Sequence, residues 1–197
     1  MSPSILGIGG TTRVGSSSER ALQHALTLAE QAGAQIQMLA GPAVQLPMYA
    51  SEVPERSEKT AQLVEAMRRA DGIIISSPAY HGSVSGLNKN ALDYAEDLRT
   101  DVRPYLENRA VWLIVCANGW QATGTTLMTL RSVINALRGW TTPMAVAINS
   151  TTAAFNSDGS LADSSTAKQM NILVRQVIDF AHRARHQSGR LNNDVSP

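Results

Sequence analysis

Hydrophobic positions fall along the chain in short, nearly continuous runs separated by longer amphipathic stretches, the pattern of a parallel sheet covered by helices on both faces. Five runs read as buried strands: 4–8 (SILGI), 36–39, 72–76 (GIIIS), 110–116 (AVWLIVC) and 144–148 (MAVAI). The third and fourth are the strongest, because they are almost unbroken and rich in β-branched residues. Helical spacing fills the intervals. Residues 16–31 carry Ala21, Leu22, Ala25, Leu28 and Ala29 on one stripe, with serines at 16, 17 and 18 as caps and Gly33 as a stop. Residues 56–70, 86–98 and 125–137 repeat that logic, and 167–185 closes the chain with Ile172, Leu173, Gln176, Val177 and Phe180 on one face. The order is β-α-β-α-β-α-β-α-β-α, an α/β chain whose right-handed connections wind helices onto both faces of a five-stranded parallel sheet.

Two stretches break this rhythm. Residues 41–55 hold prolines at 42, 47 and 54 and read as a long surface loop, while 151–165, with the turn signal Ser157-Asp158-Gly159-Ser160, reads as a loop or short hairpin. Residues 1–186 form one domain, and 187–197 are a polar tail expected to be flexible.

Composition narrows the function. With 197 residues, 43% hydrophobic and 17% charged, the chain buries one substantial core. Seventeen Lys and Arg against sixteen Asp and Glu leave a net charge of +1, so nucleic acid and anionic membranes are not expected partners. One cysteine closes no internal disulfide and fits a reducing compartment, and no run approaches the roughly 18 apolar residues of a membrane span. The expectation is a soluble, cytoplasmic protein that binds a small molecule. No metal site is expected: His182 and His186 have helical spacing but lie beside Arg183 and Arg185 with no third ligand, as on a solvated face.

In an open parallel sheet, ligands bind beyond the carboxyl ends of the strands where the winding reverses, which draws attention to the loops after strands one, three and four. The first, 9–18 (GGTTRVGSSS), combines glycines, hydroxyls from Thr11 through Ser16 and Ser18, the guanidinium of Arg13 and a helix amino end, so it reads as a phosphate cradle. It lacks the lysine of a nucleotide-hydrolysing loop and the G-x-G-x-x-G spacing of a dinucleotide site, which favours a monophosphate. The third, 77–86 (SPAYHGSVSG), offers a rigid Pro78, small Ala79 and the ring of Tyr80 to a flat heterocycle. The fourth, 117–126 (ANGWQATGTT), places glycines beside Trp120, with Gln121 as a hydrogen-bond donor. A phosphate attached to a flat ring suits all three. Cys116, at the end of the fourth strand, reads as a small buried hydrophobe whose nearness to the fourth loop keeps a redox role open.

The segments GGTTRVGSSSERAL and SPAYHGSVSGLNKNALDY resemble the phosphate-loop and S-P-x-Y-x-G-S…K-N-A-L-D motifs of the NADPH-dependent FMN reductases. That resemblance, which spans about 4–148, implies a flavodoxin-like fold, FMN as cofactor, NADPH or NADH as hydride donor, and a homodimer or homotetramer. Carried over residue by residue, Thr11 stands for the usual Ser, Arg13 matches the Arg and Ser16 the closing Ser at the FMN phosphate. Pro78, Ala79, Tyr80, His81 and Gly82 would line the isoalloxazine, with His81 where many relatives have Asn. Backbone amides near Gly119 and Trp120 would face the ring edge on which negative charge grows. No side chain is then needed as a catalytic acid or base. The acceptor of the electrons is a free flavin, a quinone or an azo compound, and a flavin-dependent monooxygenase is a candidate partner. The alternative is a flavodoxin-type electron carrier without direct NAD(P)H oxidation, against which the near-neutral charge counts.

Overall fold

The computed structural model describes residues 2–151, 154–157 and 159–193, with side chains through 185. Its strands are β1 (Ser4–Gly9), β2 (Gln35–Leu39), β3 (Gly72–Tyr80), β4 (Ser83–Val84), β5 (Ala110–Ala117), β6 (Trp140–Thr141) and β7 (Val146–Asn149). The helices are α1 (Ser17–Gln31), α2 (Glu58–Arg69), α3 (Gly86–Asp93), α4 (Trp120–Ala136) and α5 (Ser164–Asn193). The main sheet runs β2-β1-β3-β5, and β5 pairs in parallel with both β6 and β7. The last two are therefore one fifth strand interrupted around Pro143, which has no N–H to give to a ladder. This is the five-stranded parallel sheet expected from the hydrophobic pattern, and in the observed order its winding reverses between β1 and β3.

Alternation along the strands divides the core. Ile5, Ile74, Trp112 and Ile114 point to the face covered by Leu22 and Leu26 of α1 and Val177 of α5. Leu6, Ile8, Ile73, Ile75, Val111 and Leu113 point to the other, against Leu63 and Met67 of α2 and Leu130 and Ile134 of α4. Such period-two exchange between two apolar faces is what a doubly covered sheet requires.

Several boundaries differ from those the sequence suggests. β3 continues to Tyr80 instead of ending at Ser76, pairing Pro78 with Cys116 of β5. Proline is tolerated there because β1 ends opposite Ser76, so no neighbour on that side asks for its N–H. Beyond it, Tyr80 and Ser83 close a two-residue hairpin in which His81 and Gly82 have φ of 52° and 78°, the geometry of a type I′ turn. Helix α4 begins at Trp120, not at 125: Gly124 reads as a loop residue in sequence but is accommodated in the exposed helical interior. Helix α3 stops at Asp93 and tightens into a 3₁₀ turn over Tyr94–Leu98. Helix α5 runs from Ser164 to Asn193, beyond both expected ends, with Asp163 Oδ2 accepting from the Thr166 amide at 2.7 Å. The hairpin after β7 forms through a Phe155–Leu161 bridge; Asp158 of its turn, the tail residues 194–197 and the His186 side chain lie outside the described residues.

The long loop after β2 packs down at its far end. Tyr49 donates its N–H to Asn90 Oδ1 at 2.8 Å and meets Tyr94 edge-on, and Arg56 lies over both rings while forming a two-pronged ion pair with Asp97.

Candidate functional site

The amino end of α1 is built by its own sequence. Ser16 caps the helix, its Oγ accepting from the Glu19 amide at 3.2 Å, and Glu19 Oε2 accepts from the Gly15 amide at 2.7 Å. The pair is a close variant of the capping box S-x-x-E, legible in Ser16-Ser17-Ser18-Glu19. As the first helical residues, Ser17 and Ser18 keep amides without an intrahelical acceptor, so the dipole end stays open to an anion. Buried Ser76 fixes this turn by donating its Oγ hydrogen to Ser18 O at 2.7 Å. Gly10 fixes the strand before it: a Cβ there would lie 1.8 Å from Asn88 Oδ1, so only glycine allows loop and α3 to meet.

A cavity of about 450 Å³ opens at this point. Thr11, Arg13, Ser16, Ser17 and Ser18 form one end; Pro78, Ala79 and Tyr80 form a side; Cys116, Ala117, Asn118, Ala122 and Ser150 complete it. Seven of the residues expected from sequence are thus brought together: Thr11, Arg13, Ser16, Ser18, Pro78, Ala79 and Tyr80. Five are not on this wall. His81 and Gly82 shape the hairpin that ends β3, and Gly119, Trp120 and Gln121 lie at the start of α4, where Trp120 lines a different cavity. Gly119 takes φ 148° and gives α4 no side-chain cap, so the helix presents free amides beside Ala122. Tyr49, in the proline-bordered loop, is engaged with Tyr94 and Asn90 and does not line this cavity.

Ser150 is the residue that sequence reasoning missed. It follows β7, and so belongs to the same carboxyl edge as the three loops considered, but the fifth strand lies away from the switch point and drew no attention. Its Oγ is buried without a hydrogen-bond partner. An orphaned hydroxyl in a cavity wall is a vacancy for a ligand's polar atom. The cradle therefore fits FMN: free amides and a guanidinium for a phosphate, a strand-stiffened wall for a flat ring, and an unused hydroxyl for a ring or ribityl oxygen. Cys116 is 5% exposed, and burial pushes its thiol up to about 12, which keeps it protonated and non-nucleophilic.

A larger cavity, of about 780 Å³, lies at the opposite, amino edge of the sheet, between Arg68, Asp71, Arg103, Arg109 and Arg185. It holds none of the phosphate-loop or β3-hairpin residues. No group of three or more His, Cys, Asp or Glu among the described residues is arranged to hold a metal, and no described helix is long and apolar enough to cross a membrane.

Fold order, switch-point cavity and phosphate cradle define a flavodoxin-like flavin-binding protein. More specifically, the chain belongs to the NADPH-dependent FMN reductase family, whose model matches residues 3–153. It is 31% identical over 137 residues to an FMN-dependent NADPH-azoreductase of Staphylococcus aureus, covering 68% of this chain and 69% of that one. Among solved structures it is similar to a flavoenzyme NAD(P)H:(acceptor) oxidoreductase from Paracoccus denitrificans, with a TM-score of 0.77, 22% identity and coverage of 92% and 98% of the two chains. A WrbA-like flavodoxin from Agrobacterium tumefaciens shares the fold at a TM-score of 0.62 and 14% identity, covering 93% of this chain and 99% of that one. The chain is accordingly an oxidoreductase that uses FMN and takes hydride from NAD(P)H.

Proposed function

We propose that the cavity between α1, the β3 hairpin and α4 binds FMN and that the protein passes two electrons from NAD(P)H to a small aromatic acceptor such as a quinone, an azo compound or free flavin. The balance is NAD(P)H + H⁺ + acceptor → NAD(P)⁺ + reduced acceptor. FMN, when bound, supplies the centre that receives hydride from the nicotinamide and releases electrons to the acceptor. Arg13 and the open amides of Ser17 and Ser18 hold the phosphate. Pro78 and Ala79, stiffened by pairing with β5 and β4, give the ring a fixed wall. The uncapped amino end of α4 lays positive dipole beside the ring, where charge grows on reduction.

The observation that carries this reading is the joining of a phosphate cradle to a wall bearing the orphan hydroxyl of Ser150 within one cavity. It is supported by family membership. Titration with FMN should quench flavin fluorescence to a saturable end point, and NADPH should bleach the bound flavin anaerobically. A protein that leaves FMN fluorescence untouched refutes it.

A homodimer or homotetramer, a cytoplasmic setting and delivery of reduced flavin to a monooxygenase belong to the same proposal. Exposed Met128 on α4, with Trp140 and Met144 near the fifth strand, supplies apolar surface that a second copy would cover. Light scattering tests the assembly.

A further inference from the structure

Among the described residues, five buried side-chain polar atoms have no hydrogen-bond partner, and only Ser150 Oγ belongs to a residue that lines the flavin cavity. The residue that bears it is held from both sides. Its amide donates to Ala117 O at 2.8 Å, carrying the β5–β7 ladder one residue past Asn149. Immediately beyond, Asn149 Oδ1 accepts from Thr151 N at 3.0 Å and from Thr151 Oγ1 at 2.8 Å, which closes a turn around Ser150. A hydroxyl fixed in this way loses little further freedom when it engages a ligand.

Its neighbours decide what it engages. Ala122, on the first turn of α4, lines the same cavity, and that helix opens without a side-chain cap, so its amides present positive dipole there. A ligand atom drawn to this edge is an acceptor, because a ligand N–H would meet the amides' own hydrogens. A serine hydroxyl can give or accept, and beside an acceptor it gives. Cys116 offers only a weak S–H donor and Asn118 is exposed to water, which leaves Ser150 as the sheltered donor on this side of the cavity. A hydrogen bond to an acceptor that gains negative charge becomes about twice as strong.

We propose that Ser150 gives its hydroxyl hydrogen to an atom of the flavin ring that gains negative charge on reduction, and so holds reduced FMN more tightly than oxidised FMN. This rests on the flavin-reductase reading and deepens it by assigning a residue that sets the potential of the bound cofactor. The consequence is a flavin that takes hydride from NAD(P)H more readily and gives electrons to its acceptor with less driving force. A contact to a ribityl oxygen, which carries the same charge in both redox states, would tighten the two equally and leave the potential alone.

The test combines fluorescence titration of oxidised FMN with spectroelectrochemical titration of the FMN-loaded protein. Ser150→Ala should weaken oxidised FMN about threefold and reduced FMN about fifteenfold. The roughly fivefold excess lowers the two-electron potential by about 20 mV, at about 30 mV per tenfold. Ser150→Thr, which keeps the hydroxyl, should restore most of that potential. Without FMN, Ser150→Ala should melt no lower than the parent, because the hydroxyl it removes has no partner in the protein. A potential that is unchanged or raised in Ser150→Ala, an equal fall in Ser150→Thr, or an FMN-free Ser150→Ala protein melting several degrees below the parent overturns the inference. A parent protein that binds no FMN, or whose flavin NADPH does not bleach, refutes the flavin-reductase reading instead, so the two failures are distinguishable.

Discussion

Substituting Gly10 by Ala tests whether the phosphate loop is set by its contact with α3. The added methyl would lie 1.8 Å from Asn88 Oδ1 and 2.8 Å from Ser85 Oγ. Both neighbours are buried and mutually bound: Ser85 Oγ donates to Asn88 Oδ1 and accepts from the Asn88 amide, each at 3.2 Å, and thereby caps α3. Neither can withdraw without losing the cap, and Ser85 is itself tied through its amide to Ser77 Oγ at 3.1 Å. Overpacking costs about 1–3 kcal/mol and loss of a serine cap about 1 kcal/mol, so the variant should be about 2–4 kcal/mol less stable. For a chain of this size that is a fall in Tm of roughly 4–16 °C. FMN affinity should fall with it by about tenfold or more, because β1 leads directly into the cradle and a displaced loop no longer aims its amides. Calorimetry without and with saturating FMN, together with fluorescence titration, measures both. Gly124→Ala is the control: nothing lies within 4 Å of its added Cβ in α4, and it should stabilise by about 0.5–1 kcal/mol. A Gly10→Ala protein melting within about 2 °C of the parent would refute the close-approach argument.

Arg13→Gln should weaken FMN about 10- to 100-fold, the worth of a hydrogen bond to a charged group, while riboflavin, which lacks the phosphate, binds as before; equal losses for the two ligands would place Arg13 elsewhere. Arg56→Ala removes the ion pair with Asp97 and the cover over Tyr49 and Tyr94. It should cost about 1–2 kcal/mol and open residues 45–57 to limited proteolysis, with FMN affinity unchanged; a digestion pattern like the parent's would count against it. For Cys116, burial raises the thiol from 9.0 to about 12. The unfolded chain therefore loses this proton first as pH rises, and the stability held below pH 9 should drain away up to about pH 12, where the folded thiol ionises too. Cys116→Ala should flatten that alkaline decline in urea titrations, and matching slopes for the two proteins would exclude the mechanism.

The existence of the strands was legible because buried parallel strands write themselves as β-branched runs: Ile73, Ile74 and Ile75, or Val111 to Val115, need two apolar faces and have them. What sequence spacing blurred were places where backbone geometry overrides composition. Gly124 carries the signal of a loop, yet it sits in α4 because Trp120 to Thr123 already form its first turn. Pro78 reads as the end of a strand, but its missing N–H goes unnoticed where β1 has ended. The departure of His81 from the Asn of many relatives also has a backbone meaning. The position needs positive φ in a type I′ turn, a conformation in which both Asn and His are enriched over most residues, so the exchange keeps the turn. The α1 end of the cavity was readable since helix capping and open helix amides are local properties of contiguous residues. The opposite side was readable only in part: Pro78, Ala79 and Tyr80 are contiguous in sequence, whereas Cys116, Ala122 and Ser150 join them only across the sheet's edge.

The arginines show why the net charge said so little about the site. Those at the amino edge answer to the backbone. Arg109 is 1% exposed and gives Nε to Ala70 O, Nη1 to Tyr105 O and Glu107 O, and Nη2 to Arg68 O. Arg103 Nη2 reaches the same Arg68 and Ala70 carbonyls. These are the free acceptors at the carboxyl end of α2, where helix dipoles gather negative charge. Burial draws Arg109 down to about 10, still far enough above neutrality to leave it charged. Its cation is thus spent on closing the α2 end onto the segment before β5, beside the larger cavity. At the carboxyl edge the positive potential comes instead from Arg13 and from the open ends of α1 and α4. Peptide dipoles do not appear in a count of charged residues, which is how a chain with a net charge of +1 can present a helix end that favours an anion.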